Sequence, residues 1–176
     1  SPLNAALNLS ELLARRLQGK EADILRVAME NMKRVRALMH GILTYSEIGN
    51  APQQRKQVAL EEPLKIALAN LQHHIETTGA IITVDELPQV PVDRTQIAMV
   101  FQNLIGNALK YRGEAKPRIH IDAVQDDGFW RLSVTDNGVG FKTEDAPQIF
   151  EPFKRLHGPD VPGSGIGLAT CKRIVE

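Results

Sequence analysis

Polar side chains at helical spacing are the first feature of this sequence that could carry chemistry. Asn103 and Asn107 lie four positions apart, and Lys110 and Tyr111 follow. Because residues three or four apart share one face of a helix, the two amides and the ammonium group are expected side by side. Amide oxygens suit Mg²⁺ shared with phosphates, lysine attracts phosphate, and tyrosine offers a flat face to a ring. Taken alone, the segment is explained more simply as a polar helical stripe that faces solvent.

A second segment combines a carboxylate with glycine. Asp136 follows an alternating stretch, and Gly138 and Gly140 come directly after it. A carboxylate can accept a hydrogen bond from the exocyclic amine of adenine, which favours adenine over guanine, and glycine lets backbone approach a ring. On its own, the segment is better explained as a tight turn with an aspartate cap.

A third segment has glycine at every second position. Gly163, Gly165 and Gly167 precede a helical pattern, so their backbone N–H groups could face an anion at a helix N-terminus. An ordinary loop is the simpler interpretation when this segment is taken alone.

In order and spacing, the three segments together resemble the ATP-binding domain of sensor histidine kinases, part of the gyrase, Hsp90, histidine-kinase and MutL ATPase superfamily. Counterparts of four family boxes are present: an N box at 103–111, a G1 box at 136–140, an F box at 149–153 and a G2 box at 163–168. The amino-acid sequences of residues 101–113 and 150–158 resemble those of phytochrome-like and PAS-linked kinases. The resemblance covers nearly the whole chain.

This resemblance implies a role for each residue of the boxes. Asn107, helped by Asn103, would bind Mg²⁺ on the ATP triphosphate, and Asp136 would bind the adenine amine. Arg155 and Lys154 would reach the γ-phosphate and neutralise charge during in-line transfer. The remaining contacts with the nucleotide would come from Lys110, Tyr111, Gly138, Gly140, Gly163, Ser164, Gly165, Gly167 and Leu168. Residues 141–164 would form a lid.

Two segments of different periodicity must position these residues. Residues 1–50 hold apolar side chains at helical spacing in two runs, which predicts a hairpin of amphipathic helices. A lone hairpin leaves apolar faces uncovered, so a homodimer through residues 1–50 is expected to form a four-helix bundle. The resemblance identifies this hairpin with the dimerisation and histidine-phosphotransfer domain.

Residues 51–176 are predicted to form the ATP-binding domain. Helices are expected at 61–79 and from an Asp93 cap to Tyr111, and Ser164 is expected to cap a last helix. Strands are expected at 80–84, 118–124 and 130–135, with a turn at 125–128 and a loop at 141–164. The predicted fold class is α+β: a helical hairpin, then an α/β sandwich of the gyrase/Hsp90/histidine-kinase/MutL type with helices on one face of a mixed sheet.

Composition limits the function classes. The chain carries 21 basic and 21 acidic side chains, and a net charge of zero gives no general attraction to nucleic acid or anionic lipid. No apolar run approaches the roughly 20 residues of a membrane span, so no membrane contact is expected from this segment. The single cysteine, Cys171, excludes an intrachain disulfide framework and favours a reducing, cytoplasmic location.

The predicted function is an ATP-dependent histidine kinase of a two-component system, with an upstream sensor domain and a response-regulator receiver domain as partners. In the family, an H-[DE]-x-x-x-P-L segment supplies the phosphoacceptor, and Ser1-Pro2-Leu3 resembles its tail. The acceptor histidine would therefore lie four residues before Ser1, and both ends of the chain are expected to be shortened. The γ-phosphoryl group would pass to that histidine and then to a receiver aspartate.

The histidines within the chain are not predicted to be the phosphoacceptor. The five histidines present are interpreted as surface or packed side chains, since none has a carboxylate immediately beside it to orient the ring: His40, His73, His74, His120 and His157. The alternative function is a non-catalytic module for dimerisation and nucleotide sensing, or a scaffold that acts mainly as a response-regulator phosphatase.

Overall fold

The N-terminal part of the chain is a helical hairpin, as its periodicity predicts. In the computed structural model, which describes residues 2–48, 55–156 and 163–176, helix α1 spans Pro2–Ala14 and helix α2 spans Lys20–Ile48. Arg36 of α2 donates to the side chain of Asn4 on α1 at 3.4 Å. Ser1, the domain boundary predicted at residue 50, and the part of the predicted lid at 157–162, including His157, lie outside the described residues.

Much of the apolar surface of this hairpin is exposed. Leu7 is buried, whereas Ile24 keeps 70% of its surface exposed. The exposed apolar side chains of the two helices, called the hairpin stripe below, are Leu9, Leu12, Leu13, Ile24, Val27, Val35, Met39, Ile42 and Leu43. Within the described residues, no helix combines the length and the apolar character needed to cross a membrane.

Within residues 55–156 and 163–176, the β layer of the second domain consists of two small sheets. The strands are β1 (Lys56–Ala59), β2 (Ile81–Val84), β3 (Gln89–Val92), β4 (Arg118–Asp126) and β5 (Phe129–Asp136). Strand β2 runs parallel to β4, and β4 runs antiparallel to β5, which confirms a mixed sheet. Strands β1 and β3 form a separate antiparallel pair that the sequence did not predict, because each is only four residues long and β3 contains a proline.

Three helices complete the described part of the domain. They are α3 (Glu61–Thr78), α4 (Arg94–Lys110) and α5 (Gly167–Val175). The predicted cap of α4 is confirmed, since Asp93 Oδ1 accepts hydrogen bonds from the backbone N of Thr95 at 2.9 Å and of Gln96 at 3.1 Å. The turn between β4 and β5 is shorter than predicted, because it consists of Asp127 and Gly128 alone, with φ of +44° and +83°. Both strands are therefore longer than predicted.

The predicted cap of the last helix is wrong. Helix α5 begins at Gly167, with Ile166 in the cap position and no side-chain cap. Ser164 Oγ accepts a hydrogen bond from the backbone N of Ile166 at 3.4 Å, in the loop before the helix. The reason is Gly165, whose φ of +73° interrupts a helical backbone between Ser164 and Gly167. In its described part, the predicted loop at 141–164 also contains two 3₁₀ turns, Thr143–Asp145 and Gln148–Phe150.

The core of the domain lies between α4 and the three-stranded sheet. Phe101 and Ile105, one helical turn apart, are fully buried and belong to one cluster with Ile119 and Ile121 of β4. Helix α3 joins the same cluster through Leu64. Helices α3 and α4 therefore cover one face of the mixed sheet, as the sequence predicts.

The hairpin contacts the second domain through α2 and α5. A small buried cluster joins them with α4: Ile48, Val100, Cys171 and Ile174. The Arg173 guanidinium lies 4.7 Å from the centroid of the Tyr45 ring. Gly41 of α2 leaves room for Ile166, since a Cβ at that glycine would lie 2.9 Å from Ile166 Cδ1.

Phe101→Ala is expected to lower the free energy of unfolding by about 3–5 kcal/mol, because it removes a fully buried ring and leaves a cavity. Phe129→Ala is the matched control. Its ring is 78% exposed, so it should change stability by less than about 0.5 kcal/mol. Urea denaturation followed by circular dichroism measures both, and equal losses would contradict this assignment of the core.

Candidate functional site

Helix α4 presents one face to the core and another to a cavity. Phe101 and Ile105 occupy the buried face. Asn103, Asn107 and Lys110 instead line a polar cavity of about 280 Å³. The same helix therefore anchors the domain and forms a wall of the site.

A second cavity, of about 340 Å³, adjoins the first and is walled mainly by apolar side chains. Asp136, at the end of β5, contributes a carboxylate to it. The apolar wall consists of Leu104, Ala108, Val134, Phe141, Ile149, Phe150, Leu156 and Leu168. The residues that line both cavities, and so mark their junction, are Asn107, Tyr111, Ile149, Lys154, Arg155 and Leu168.

The turn after β5 is fastened to the end of α4. Asp136 Oδ1 accepts a hydrogen bond from Gly138 N at 2.7 Å, and Val139 N donates to the Tyr111 carbonyl at 2.9 Å. A Cβ on Gly138 would lie only 2.5 Å from that carbonyl oxygen, so no larger residue fits without displacing Tyr111 or Asp136. Gly138 thus lies against backbone and not on the lining of either cavity, whereas Gly140 lines the apolar one.

Asn137 is an anchor of this turn that sequence reasoning missed. Its Oδ1 accepts a hydrogen bond from Arg118 N at 2.7 Å, and its Nδ2 donates to the Lys116 carbonyl at 3.1 Å. Asn137 therefore ties the turn to the start of β4 and fixes the direction in which Asp136 leaves β5. An asparagine next to glycine is so common in turns that the sequence carried no specific signal for this role.

Lys110 spans the space between α4 and the glycine segment. Its Nζ donates to the Tyr111 hydroxyl at 2.7 Å and lies 4.3 Å from the centroid of that ring. A Cβ on Gly163 would lie 2.7 Å from the same Nζ. The ammonium group therefore lies between the Tyr111 ring and the backbone of Gly163.

Asn103 contacts the first turns of α5. A Cβ on Gly167 would lie 2.9 Å from Asn103 Oδ1, so the absence of a side chain there lets the helix start against the amide. The buried thiol of Cys171 donates to the Val100 carbonyl at 4.0 Å. Burial raises the pKa of Cys171 to about 11, against the smaller opposing effect of a hydrogen bond with the Asn103 side chain. Asn107, in contrast, lies at the junction of the two cavities.

Two basic residues approach the cavities from the segment after the second 3₁₀ turn. Lys154 and Arg155 line both cavities, and Lys154 forms an ion pair of 3.7 Å with Glu151. The cavities therefore receive positive charge from this side and from Lys110.

The structure brings nearly all of the predicted site residues to one place. Those that line a cavity are Asn103, Asn107, Lys110, Tyr111, Asp136, Gly140, Lys154, Arg155, Gly163, Ser164, Gly165, Gly167 and Leu168. Among the lining residues that the sequence did not identify as site residues are Leu71, Gln102, Leu104, Gly106, Ala108, Val134, Phe141 and Leu156. Leu104 and Ala108 could have been found, because they repeat at helical spacing beside Asn107.

His120 lies beside a carboxylate that its neighbours in the sequence did not reveal. Its Nε2 lies 3.4 Å from Asp85 Oδ2, and its Nδ1 lies 2.9 Å from Thr83 Oγ1. Parallel pairing of β2 and β4 brings these groups together, which sequence neighbours could not reveal. Because Ile119 and Ile121 face the core, His120 points to the opposite face of the sheet, away from the two cavities.

Comparison with known proteins agrees with this geometry. Residues 92–176 match the family model described as histidine kinase-, DNA gyrase B-, and HSP90-like ATPase. Residues 92–176 therefore belong to this ATPase family. Its sequence is 40% identical to cyanobacterial phytochrome A of Nostoc sp. and 37% identical to phytochrome-like protein Cph1 of Synechocystis sp., in each case over 99% of this chain. The chain spans 24% of the length of each of these relatives.

Solved histidine kinases share the fold. Full-length ShkA in complex with AMPPNP superposes with a TM-score of 0.70 at 26% identity, over 98% of this chain and 37% of that one. Histidine kinase AdeS of Acinetobacter baumannii gives 0.68 at 22% identity, over 98% of this chain and 83% of that one, which is a likeness of fold. The predicted resemblance to sensor histidine kinases, including the phytochrome-like group, and the predicted fold class are confirmed.

The Cys171 thiol is expected to resist alkylation in the folded protein at pH 8, because it is buried and its pKa is about 11. Iodoacetamide labelling followed by mass spectrometry should be slow without urea and fast in urea. Labelling at equal rates with and without urea would contradict the burial.

The same thiol should contribute to the pH dependence of stability. An unfolded thiol ionises near 9.0 and the folded one near 11, so its contribution to the free energy of unfolding should fall as pH rises between these values. Urea denaturation at several pH values should show a smaller fall for Cys171→Ala than for the wild-type chain.

Proposed function

We propose that this chain is the catalytic core of an ATP-dependent protein histidine kinase in a two-component signalling system. The observation that carries the proposal is the junction of an apolar cavity bearing the Asp136 carboxylate with a polar cavity bearing amides, cations and glycine backbone. An apolar slot suits a purine ring, and the adjoining polar space suits its phosphates. The similarity to a kinase determined with AMPPNP supports ATP as the nucleotide.

Asp136 would select adenine. The hydrogen bond from Gly138 N holds its carboxylate in place before any base arrives. Carboxylate oxygens accept from the exocyclic amine of adenine, whereas guanine would present an oxygen to them and be repelled. Tyr111 and the apolar wall would enclose the ring.

The polar cavity would hold the phosphates with Mg²⁺. Asn107 and Asn103 offer neutral, hard oxygen atoms, a donor set that fits Mg²⁺ when phosphate oxygens and water complete its coordination. Mg²⁺, when bound there, would supply neutralisation of phosphate charge. Lys110 and the glycine backbone at 163–167 would contact the phosphates from the other side.

Lys154 and Arg155 would act on the γ-phosphoryl group. Both line the two cavities, and their positive charges would stabilise charge on the transferred group. The acceptor would be the histidine that the resemblance sets before Ser1, followed by an aspartate of a response-regulator receiver domain. A sensor domain upstream would control the transfer.

The hairpin stripe supports a homodimer as the working assembly. Ile24 and Leu43 are more than half exposed, and helices of one hairpin cannot cover such residues by packing on each other alone. A second hairpin would bury them in a four-helix bundle. The unpaired, buried Cys171 is compatible with the reducing environment of the cytoplasm.

Asp136→Asn is expected to weaken ATP binding roughly 10- to 100-fold, the size of a lost hydrogen bond to a charged group. Isothermal titration calorimetry with ATP and GTP measures the effect. Asp122→Asn, on the neighbouring strand β4, is the matched control and should bind ATP like the wild-type chain. Undiminished ATP binding by Asp136→Asn would remove the proposed basis of adenine selection.

Incubation with γ-labelled ATP tests the transfer itself. A polypeptide extended by about ten residues ahead of Ser1, so that it includes the histidine that the resemblance implies, should incorporate acid-labile phosphate, and Asn107→Ala should reduce this at least tenfold by weakening Mg²⁺–phosphate binding. The 176-residue chain should bind ATP without stable labelling. Labelling of this chain would show that the acceptor is one of its own histidines. ATP binding without transfer by the extended polypeptide would favour the non-catalytic alternative.

A further inference from the structure

Phe153 has a backbone conformation that phenylalanine rarely adopts. Its φ is +67°, in the left-handed region, where Cβ crowds the backbone. Among the described residues, the other non-glycine residue with positive φ is Asp127, in a two-residue turn where aspartate is common. The Phe153 side chain is 57% exposed, so burial of the ring does not offset the strain.

Backbone contacts with Gly165 hold Phe153 in this conformation. The N–H of Phe153 donates to the Gly165 carbonyl at 2.9 Å. Gly165 is also left-handed, and a Cβ on it would lie 3.0 Å from both the carbonyl carbon of Phe153 and the carbonyl oxygen of Lys154. The two segments therefore touch backbone to backbone, a contact called the Phe153–Gly165 latch below.

The latch determines where the chain goes next. Ile149 lines both cavities and Phe150 lines the apolar one, whereas residues 151–153 lie off the lining of either. Lys154 and Arg155 then return to line both. A residue with positive φ turns the chain in a direction that a residue in the extended or right-handed helical region does not give. Gly165 itself lines the polar cavity, so the latch ties the two cations to the glycine segment.

We infer that Phe153 is a positioning residue for the phosphate end of the nucleotide. Its left-handed backbone, latched to Gly165, places Lys154 and Arg155 at the polar cavity and thereby favours a nucleoside triphosphate over a diphosphate. The inference rests on the proposed function, because it concerns the same nucleotide site. The backbone carries the effect and the ring does not. Residues that accept positive φ easily, such as glycine and asparagine, should therefore replace Phe153 without loss, and β-branched valine should not.

Dissociation constants for ATP and ADP, measured by isothermal titration calorimetry on the 176-residue chain with Mg²⁺, test this inference. Phe153→Val is expected to weaken ATP binding about tenfold, the size of one charge-assisted hydrogen bond, and to change ADP binding less than about twofold. Phe153→Gly and Phe153→Asn should keep the wild-type ratio of the two constants. Phe129→Val, which also removes an exposed ring, should leave both constants unchanged.

The ratio of the dissociation constants for ATP and ADP distinguishes a positioning role from a general loss of structure, because a destabilised fold would weaken the binding of both nucleotides alike. An unchanged ratio of the two constants in Phe153→Val would overturn the inference. The inference would also be overturned if the glycine and asparagine variants lost ATP affinity as much as the valine variant, because the effect would then come from the ring. Should the valine variant fail to fold, Phe153→Ala takes its place, with the same expected direction.

Failure of the proposed function has a different signature. A wild-type chain that binds neither ATP nor ADP would overturn the proposed function and this inference with it. A wild-type chain that binds ATP and ADP with equal affinity would overturn the inference alone.

Discussion

Burial of Phe101 and Ile105 between helix α4 and strand β4 fixes the rotation of that helix about its axis. Because side chains four apart share a face, this one packing choice also decides that Asn103 and Asn107 face the polar cavity. A fully buried aromatic ring contributes several kcal/mol to the free energy of folding, about 3–5 kcal/mol when it is truncated to alanine. Apolar packing therefore sets which way the helical face that carries the two amides points.

Three close backbone approaches assemble the rest of the site around this helix. The missing side chain leaves room for the Tyr111 carbonyl at Gly138, for the Asn103 amide at Gly167 and for the Phe153 backbone at Gly165. In each case a Cβ would lie 3.0 Å or less from an atom of that neighbour, which is closer than ordinary van der Waals contact. These glycines bring distant segments of the chain together. That packing role gives a physical reason for glycine at position 138, since Gly138 lines neither cavity.

Helix α5 links the site to the hairpin. It begins at Gly167, beside the polar cavity, and its buried side shares a cluster with Ile48 at the end of α2. Arg173 of the same helix lies over the Tyr45 ring of α2. The hairpin and the glycine segment thus both contact one short helix, and packing against that helix sets their relative positions.

Local patterns were sufficient for the elements and for most of the site. The sequence by itself determined the hairpin, the Asp93-capped helix α4, the longer strands and the presence of an amide at Asn107 and a carboxylate at Asp136, because periodicity, capping and turn chemistry act between residues close in the chain. Only the tertiary structure decided the β1–β3 pair, the meeting of His120 with Asp85, the start of α5 at Gly167 and the left-handed backbone of Phe153. Each of these depends on contacts between residues far apart in the chain, and in Phe153 such a contact holds a conformation that the residue type alone disfavours.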